Sequence, residues 1–261
     1  MTQIDSTQVH SAADYRRVLQ REWASVTRLL APLSNEDWNL PTRCAGWTIL
    51  DLARHTVWGV SMEADALRRA RTGDRDPADG TTMAVDSRPH EVLEALHEAA
   101  AVLNAETGTL GADDGDRTCP MPYGDVPLFA ALDIFVFEAG IHSSDFAHAV
   151  GEDRPLADDV VPSTAAVMAQ FLPVLATGST TAPPVGTSFS LKGEAVSLDG
   201  HWSADGLVMG DPAAEPAVTV AGDDSSVLLF AAGRLGVDDE RLTVGGVTDL
   251  ARDFKVYVPG P

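Results

Sequence analysis

The stretch Phe135-Val-Phe-Glu-Ala-Gly-Ile-His-Ser-Ser-Asp-Phe146 decides the fold of the N-terminal half of this chain. It belongs to an apolar segment in which Asp133 and Glu138 are the only charged residues between positions 128 and 141. A helix that is apolar on most of its sides normally packs inside a protein, so the sequence predicts an interior helix here. An ionised carboxylate in such a helix needs a partner or a metal ion, because burying its charge alone is very costly.

Three polar side chains of this stretch share one face of the predicted helix. Glu138 and His142 are four residues apart, and Asp145 follows three residues later. A carboxylate and an imidazole together suit a borderline divalent cation such as zinc. The sequence therefore predicts Glu138 and His142 as metal ligands. Asp145 is predicted to be a supporting carboxylate or a fourth ligand, or else an interhelical hydrogen-bond partner.

A third ligand is predicted on an earlier helix that begins at Thr48. His55 lies on the inward stripe of this helix, and with Glu138 and His142 it would complete a set of three ligands. Three protein ligands with one open position are typical of a catalytic zinc site in a helical bundle. The alternative is structural: His55 would be a core histidine bonded to a carbonyl, and Glu138 would pair with an arginine.

Asp51 precedes His55 by four residues and is predicted to orient its ring as a supporting carboxylate. The alternative is that Asp51 acts at the start of the helix, where an acidic side chain is favourable and where Thr48 and Asp51 have the spacing of a capping box. Cys44, in the turn before this helix, is interpreted as a small packed residue rather than a nucleophile or ligand.

Composition excludes several classes of function. The 261 residues include 18 Lys and Arg against 39 Asp and Glu, a net charge of −21, which disfavours nucleic acid and anionic membranes as partners. No uncharged apolar run reaches the roughly 18 residues of a membrane span. The N-terminus lacks the pattern of a signal peptide, and two cysteines are too few for a disulfide framework. We therefore expect a cytoplasmic protein with small-molecule partners.

Hydrophobic periodicity changes along the chain, from helical spacing to short alternating segments. The predicted helices begin near residues 11, 48, 89, 128 and 158, the last being interrupted near Pro173. The predicted strands cover 188–191, 195–198, 206–209, 217–220, 242–244 and 255–258, with short helices at 224–232 and 247–254. This order predicts an α+β chain, with a helical bundle at 1–155 and a smaller mixed α+β domain at 156–261.

Two motifs in this order resemble those of the mycothiol-dependent maleylpyruvate isomerase family. The first is Thr42-x-Cys44-x-Gly46-Trp47-Thr-x-x-Asp51-Leu-x-x-His55, and the second is Glu138-x-x-x-His142-x-x-Asp145. The resemblance implies a DinB-like metal-binding four-helix bundle followed by an SCP2-like α+β domain. It also implies a divalent metal, zinc in most members, held by His55, Glu138 and His142.

The resemblance further implies mycothiol, an actinobacterial low-molecular-weight thiol, as cosubstrate. In the isomerase of this family, an arginine of the C-terminal domain approaches the metal site. Arg234 is the catalytic candidate here, although an arginine near a predicted turn is more often an ordinary surface residue. Among the outcomes, we favour an S-transferase in which a metal-bound thiolate adds to a small electrophile and stays on it. The alternatives are a mycothiol-dependent cis–trans isomerase, a metal hydrolase and a non-catalytic, metal-stabilised binding module.

Overall fold

The computed structural model describes residues 11–210 and 215–260, and these fall into two compact units. One unit ends at Arg154 and the other starts at Pro155. Helices dominate the first unit, and the second combines a five-stranded sheet with helices. The α+β fold class predicted from the sequence is therefore confirmed. The predicted domain ranges start at residue 1 and end at residue 261, and both ends lie outside the described residues.

The first unit is a bundle of four helices with a hairpin before the last of them. The helices are α1 (Ala12–Leu30), α2 (Ile49–Thr72), α3 (Pro89–Thr107) and α4 (Leu128–Ala149), and the hairpin joins β1 (Thr118–Met121) to β2 (Gly124–Pro127). The helix α1 packs against α3 and α4, and α2 packs against the same two helices. Most side chains of α4 are buried, so the prediction of an interior helix is confirmed. Within the described ranges, no helix is long and apolar enough to cross a membrane.

The helix that carries His55 begins at a capping box. The Thr48 hydroxyl accepts a hydrogen bond from the Asp51 backbone N–H at 3.2 Å, and the Asp51 carboxylate accepts the Thr48 N–H at 3.0 Å. The helix ends at Gly73, whose φ of 76° favours glycine. The start of the helix agrees with the sequence prediction, and it determines which residues of α2 face the bundle interior.

Replacing Thr48 with alanine should destabilise the protein by about 1 kcal/mol, because the first turn of α2 loses a backbone partner. Urea denaturation followed by circular dichroism measures this change. Thr72→Ala, in the exposed last turn of the same helix, is the matched control, and its effect should stay within about 0.5 kcal/mol. Equal stability of Thr48→Ala and wild type would contradict a structural role for this cap.

The second unit is a five-stranded sheet with helices around it. Its elements are α5 (Val161–Ala176), β3 (Ser188–Lys192), β4 (Ser197–Ser203), β5 (Gly206–Met209), β6 (Val218–Ala221), α6 (Asp224–Ala231), β7 (Thr243–Gly246), α7 (Thr248–Arg252) and α8 (Phe254–Tyr257). The strand order is β5-β4-β3-β6-β7, and only the central pair β3–β6 is parallel. The core of this unit contains the ring of Phe189, which is tilted against the ring of Trp202 and meets the ring of Phe254 edge to face.

Three sequence predictions for this unit were wrong in detail. The helix α5 continues through Pro173, where the sequence predicted an interruption or an end. The strand expected at 195–198 starts only at Ser197, because Oδ1 of Asp224 accepts the backbone N–H groups of Ala195 and Val196 at 2.9 Å each. These two groups are therefore not available to a neighbouring strand.

Most of the segment predicted as a last strand, 255–258, is helical instead. Residues 255–257 belong to α8, whose first residue, Phe254, is 2% exposed and packs against the rings of Phe189 and Phe230. Val256 and its neighbours have high strand propensity, but Val256 is largely exposed. Burial of Phe254 in the ring cluster outweighs the local propensity for a strand.

Candidate metal centre

The helices α2 and α4 bring His55, Glu138 and His142 together, and we call these three residues the ligand cluster. One potential ligand atom from each residue lies within 4.8 Å of the other two. Nε2 of His142 is 3.2 Å from Oε2 of Glu138, and the rings of His55 and His142 meet edge to face with centroids 5.3 Å apart. The side chains predicted from spacing alone therefore converge on one point of the bundle.

Two aromatic side chains lie beside His55, one from the turn before α2 and one from α2 itself. Gly46 has a φ of 80°, and the backbone N–H of Thr42 donates to the carbonyl of Trp47 at 2.9 Å, which closes the turn. The ring of Trp47 then lies 5.0 Å from the ring of His55, and the ring of Trp58 lies 6.4 Å from it. The motif that precedes His55 thus places the ring of Trp47 against one side of the site.

Asp145 supports His142 from the side opposite Glu138. Its carboxylate is fully buried, and Oδ2 lies 3.2 Å from Nδ1 of His142. The same oxygen accepts a hydrogen bond from Sγ of Cys44 at 3.4 Å. A carboxylate on one ring nitrogen leaves the other nitrogen free to bind a metal, which is the usual arrangement around metal-binding histidines.

Cys44 takes part in this arrangement more closely than the sequence indicated. With His142 and Asp145 it forms a second group whose potential ligand atoms lie within 4.8 Å of one another. This second group shares His142 with the ligand cluster. The sequence signal for it was the Cys-x-Gly-Trp turn, which the packing interpretation of Cys44 did not use.

The protonation of the two histidines fits a cation site. Burial lowers the pKa of His55, so its imidazole is neutral near pH 7, as a metal ligand must be. Burial also disfavours charge on His142, but the hydrogen bonds with Asp145, Cys44 and Glu138 outweigh it and raise the pKa of His142 well above its ordinary value. A protonated imidazole thus supplies positive charge between two carboxylates, and a divalent cation would supply that charge in its place.

Asp51 lies in the capping box rather than against the ring of His55. Its carboxylate bonds to Thr48 and, at 3.4 Å, to Nη1 of Arg54, and no hydrogen bond to His55 occurs in the described ranges. These bonds lower the pKa of Asp51, the hydroxyl of Thr48 contributing most. The geometry favours the alternative role at the helix start over the predicted orienting role.

Arg234, the predicted catalytic arginine, belongs to the second unit. It follows α6, is 8% exposed, and donates from Nη1 to the carbonyl of Ala232 at 2.8 Å. Burial, together with the positive charge of Arg234, lowers the pKa of the neighbouring Lys255 to about 8. Arg234 is therefore a buried cation and not the ordinary surface arginine of the alternative interpretation.

Glu63 is a buried acidic residue of α2 that the sequence analysis missed. It is 2% exposed, although its neighbours in the sequence include the half-exposed Ser61 and Asp65. The signal was present, because Leu52 and Thr56 precede it by about three and two helical turns and are also buried. A carboxylate at such an inward position needs a partner or a metal ion, as was predicted for Glu138.

Comparison with known families identifies the domain that holds the ligand cluster. Residues 19–147 match the sequence profile described as "Mycothiol maleylpyruvate isomerase N-terminal domain". These residues form a domain of the mycothiol maleylpyruvate isomerase family. The matched segment includes both α2 and α4 up to position 147, and so contains all three residues of the ligand cluster.

Two solved structures resemble this chain in fold over most of its length. A crystal structure of the mycothiol-dependent maleylpyruvate isomerase matches with a TM-score of 0.66 and 16% identity, covering 94% of this chain and 96% of that chain. A mutant of that isomerase with one histidine replaced by alanine matches with a TM-score of 0.65, at the same identity and coverage. No curated protein matches the chain in sequence. At this identity the structures establish the shared fold of this chain.

Asp145→Asn should weaken metal binding about 10–100-fold, because His142 loses the carboxylate that orients its ring. Competition with a chelating dye measures the affinity for Zn²⁺. Asp133→Asn is the matched control on α4, since Asp133 accepts a hydrogen bond from the Tyr15 hydroxyl and does not belong to the ligand cluster. An unchanged affinity in Asp145→Asn would contradict the supporting role of this carboxylate.

Proposed function

We propose that this protein is a mycothiol-dependent cis–trans isomerase of small α,β-unsaturated carbonyl compounds, acting at a divalent cation held by His55, Glu138 and His142. One observation carries the proposal: three potential ligand atoms lie within 4.8 Å of one another inside the segment that matches the family domain. Two imidazoles and a carboxylate suit a borderline cation such as zinc, and three protein ligands leave a position open for a small molecule.

The thiol chemistry requires a thiolate near neutral pH. A divalent cation at the ligand cluster would lower the pKa of a thiol bound to it and so supply that thiolate. The sulfur then forms a bond to the β-carbon of the cis double bond, and the π electron pair moves to the carbonyl oxygen. The carbon–carbon bond that was double is now single, and rotation about it followed by expulsion of the thiolate restores the double bond in the trans form. The thiol is regenerated, so substrate and product have the same atoms.

The residues of this chain have separate tasks in that scheme. Asp145 holds the ring of His142 through Nδ1, and burial keeps His55 neutral. Trp47 and Trp58 flank His55 and present aromatic surface beside it. Arg234 is proposed to bind a substrate carboxylate, because a guanidinium can pair with it through two hydrogen bonds.

The isomerase outcome replaces the S-transferase that the sequence analysis favoured. Both outcomes begin with the same attack by sulfur on an electrophilic carbon, and they differ in whether the thiol leaves again. The relatives that match this chain carry the name of an isomerase, which supports the isomerase alternative better than the transferase. The fate of the thiol is therefore the decisive measurement.

The test incubates the purified protein, loaded with Zn²⁺, with mycothiol and maleylpyruvate. Chromatography with mass spectrometry follows the substrate and the thiol together. We expect the trans isomer to form only when the thiol is present, and the thiol to be recovered unmodified. Accumulation of an S-conjugate would favour the transferase, and turnover without thiol would favour a metal hydrolase. His97→Ala, on the exposed side of α3, controls for the effect of removing a histidine.

A further inference from the structure

The bundle contains a buried carboxyl group that the proposed mechanism does not use. Oε2 of Glu63 is buried and has no hydrogen-bond partner in the part of the chain that the structure describes. Within that part, it is the only buried carboxyl oxygen without one. An unpaired acidic group in a protein interior is costly, so its presence calls for a partner that the protein alone does not provide.

Glu63 lies on the face of α2 that is turned into the bundle. Leu52 and Thr56, at whole-turn spacings before it, are fully buried. Gly59 lies between the levels of His55 and Glu63 on this helix, and a Cβ added there would meet no atom within 4 Å. Open space therefore lies along α2 between the ligand cluster and Glu63.

The charges that act on Glu63 come from two residues of the ligand cluster. Burial raises the pKa of Glu63 well above its ordinary value, the negative charge of Glu138 raises it further, and the positive charge of His142 opposes this rise. No arginine or lysine of the described ranges forms an ion pair with Glu63. Within the described ranges, a positive charge at the ligand cluster is therefore what would keep Glu63 ionised.

We propose that Glu63 is a charge-compensating carboxylate of the cation site formed by His55, Glu138 and His142, and that it raises the affinity of this site for a divalent ion. The inference rests on the proposed function, since it requires the ligand cluster to bind a cation. Glu63 adds a further negative charge to those of Glu138 and Asp145, and this charge increases the attraction of the site for a divalent ion. The bundle interior strengthens this attraction, because charges interact more strongly at low dielectric than in water. Glu63 acts on the cation site through its charge and does not take part in the chemical step.

The test is a chelator-competition titration of the full-length protein with Zn²⁺. Glu63→Gln should weaken binding about 10–100-fold, the range seen when a carboxylate that supports a metal site is lost. Glu63→Asp keeps the charge and should retain most of the affinity. Glu22→Gln is the matched control, because Glu22 is a buried glutamate of α1 that pairs with Arg21. Its affinity for Zn²⁺ should equal that of wild type.

Thermal melting of the metal-free proteins provides a second readout. Glu63→Gln should melt at or above the wild-type temperature, because a neutral amide replaces an acid whose ionised form is opposed by burial and by the charge of Glu138. Glu63→Met introduces an apolar residue of similar length and should show the same loss of affinity. It serves as the folded neutral variant if Glu63→Gln does not fold. Wild-type affinity in both neutral variants would overturn this inference and leave the proposed function intact. A wild-type protein that binds no Zn²⁺ would overturn both.

Discussion

His55→Ala should remove the bound metal and, with it, the thiol-dependent turnover. His55 supplies the only ligand of the cluster that comes from α2, so its loss leaves Glu138 and His142 on α4 alone. Two protein ligands do not make a closed site, and the loss of affinity should exceed the roughly 100-fold that follows removal of a supporting partner. Elemental mass spectrometry should find about one equivalent of metal in the wild type and almost none in the variant.

His55→Ala should keep its fold, because His55 is only half-buried and its removal leaves a small gap beside Trp47. Glu138→Ala removes a ligand from the other helix and should lose the metal in the same way. His97→Ala should keep both metal and activity. A variant of His55 that retains a full equivalent of metal would show that the cation binds elsewhere, for example at the group of Cys44, His142 and Asp145.

Phe189→Ala should destabilise the second unit by about 3–5 kcal/mol, the usual cost of removing a large buried ring. Phe189 is fully buried in β3, and its ring lies 5.4 Å from the ring of Trp202 and 5.2 Å from that of Phe254. It also fills the space above Gly200, where an added Cβ would lie 2.8 Å from the ring. Small domains are stable by only about 5–15 kcal/mol, so this one substitution removes a large share.

Urea denaturation followed by far-UV circular dichroism measures this loss. Val208→Ala on β5 is the matched control, because Val208 is a strand residue with 43% of its surface exposed. Its effect should stay within about 0.5 kcal/mol, as for most surface substitutions. A Phe189→Ala variant as stable as Val208→Ala would contradict the assignment of the ring cluster as the core of this unit.

The helices of the first unit could be predicted from the sequence because their signals are local. The capping boxes at Ser11 and Thr48 and the glycine at position 73 mark helix ends through bonds between residues close in the chain. The spacing of Glu138 and His142 likewise fixes their shared face. Predictions from the sequence were wrong where contacts between residues far apart in the chain determine the local structure. Asp224 binds the backbone before β4, and packing of Phe254 makes residues 254–257 helical.

The sequence by itself determined the fold class and the interior position of α4, and it predicted the three residues that the structure brings together in the ligand cluster. Helical periodicity defines which side chains share a face, and this property needs only one helix at a time. Only the tertiary structure decided which groups meet across helices. It brought Cys44 against Asp145, left Oε2 of Glu63 buried without a partner, and placed Asp51 in a cap. These contacts depend on how α2 and its preceding turn pack against α4. Residue spacing along a single helix does not predict how two helices pack.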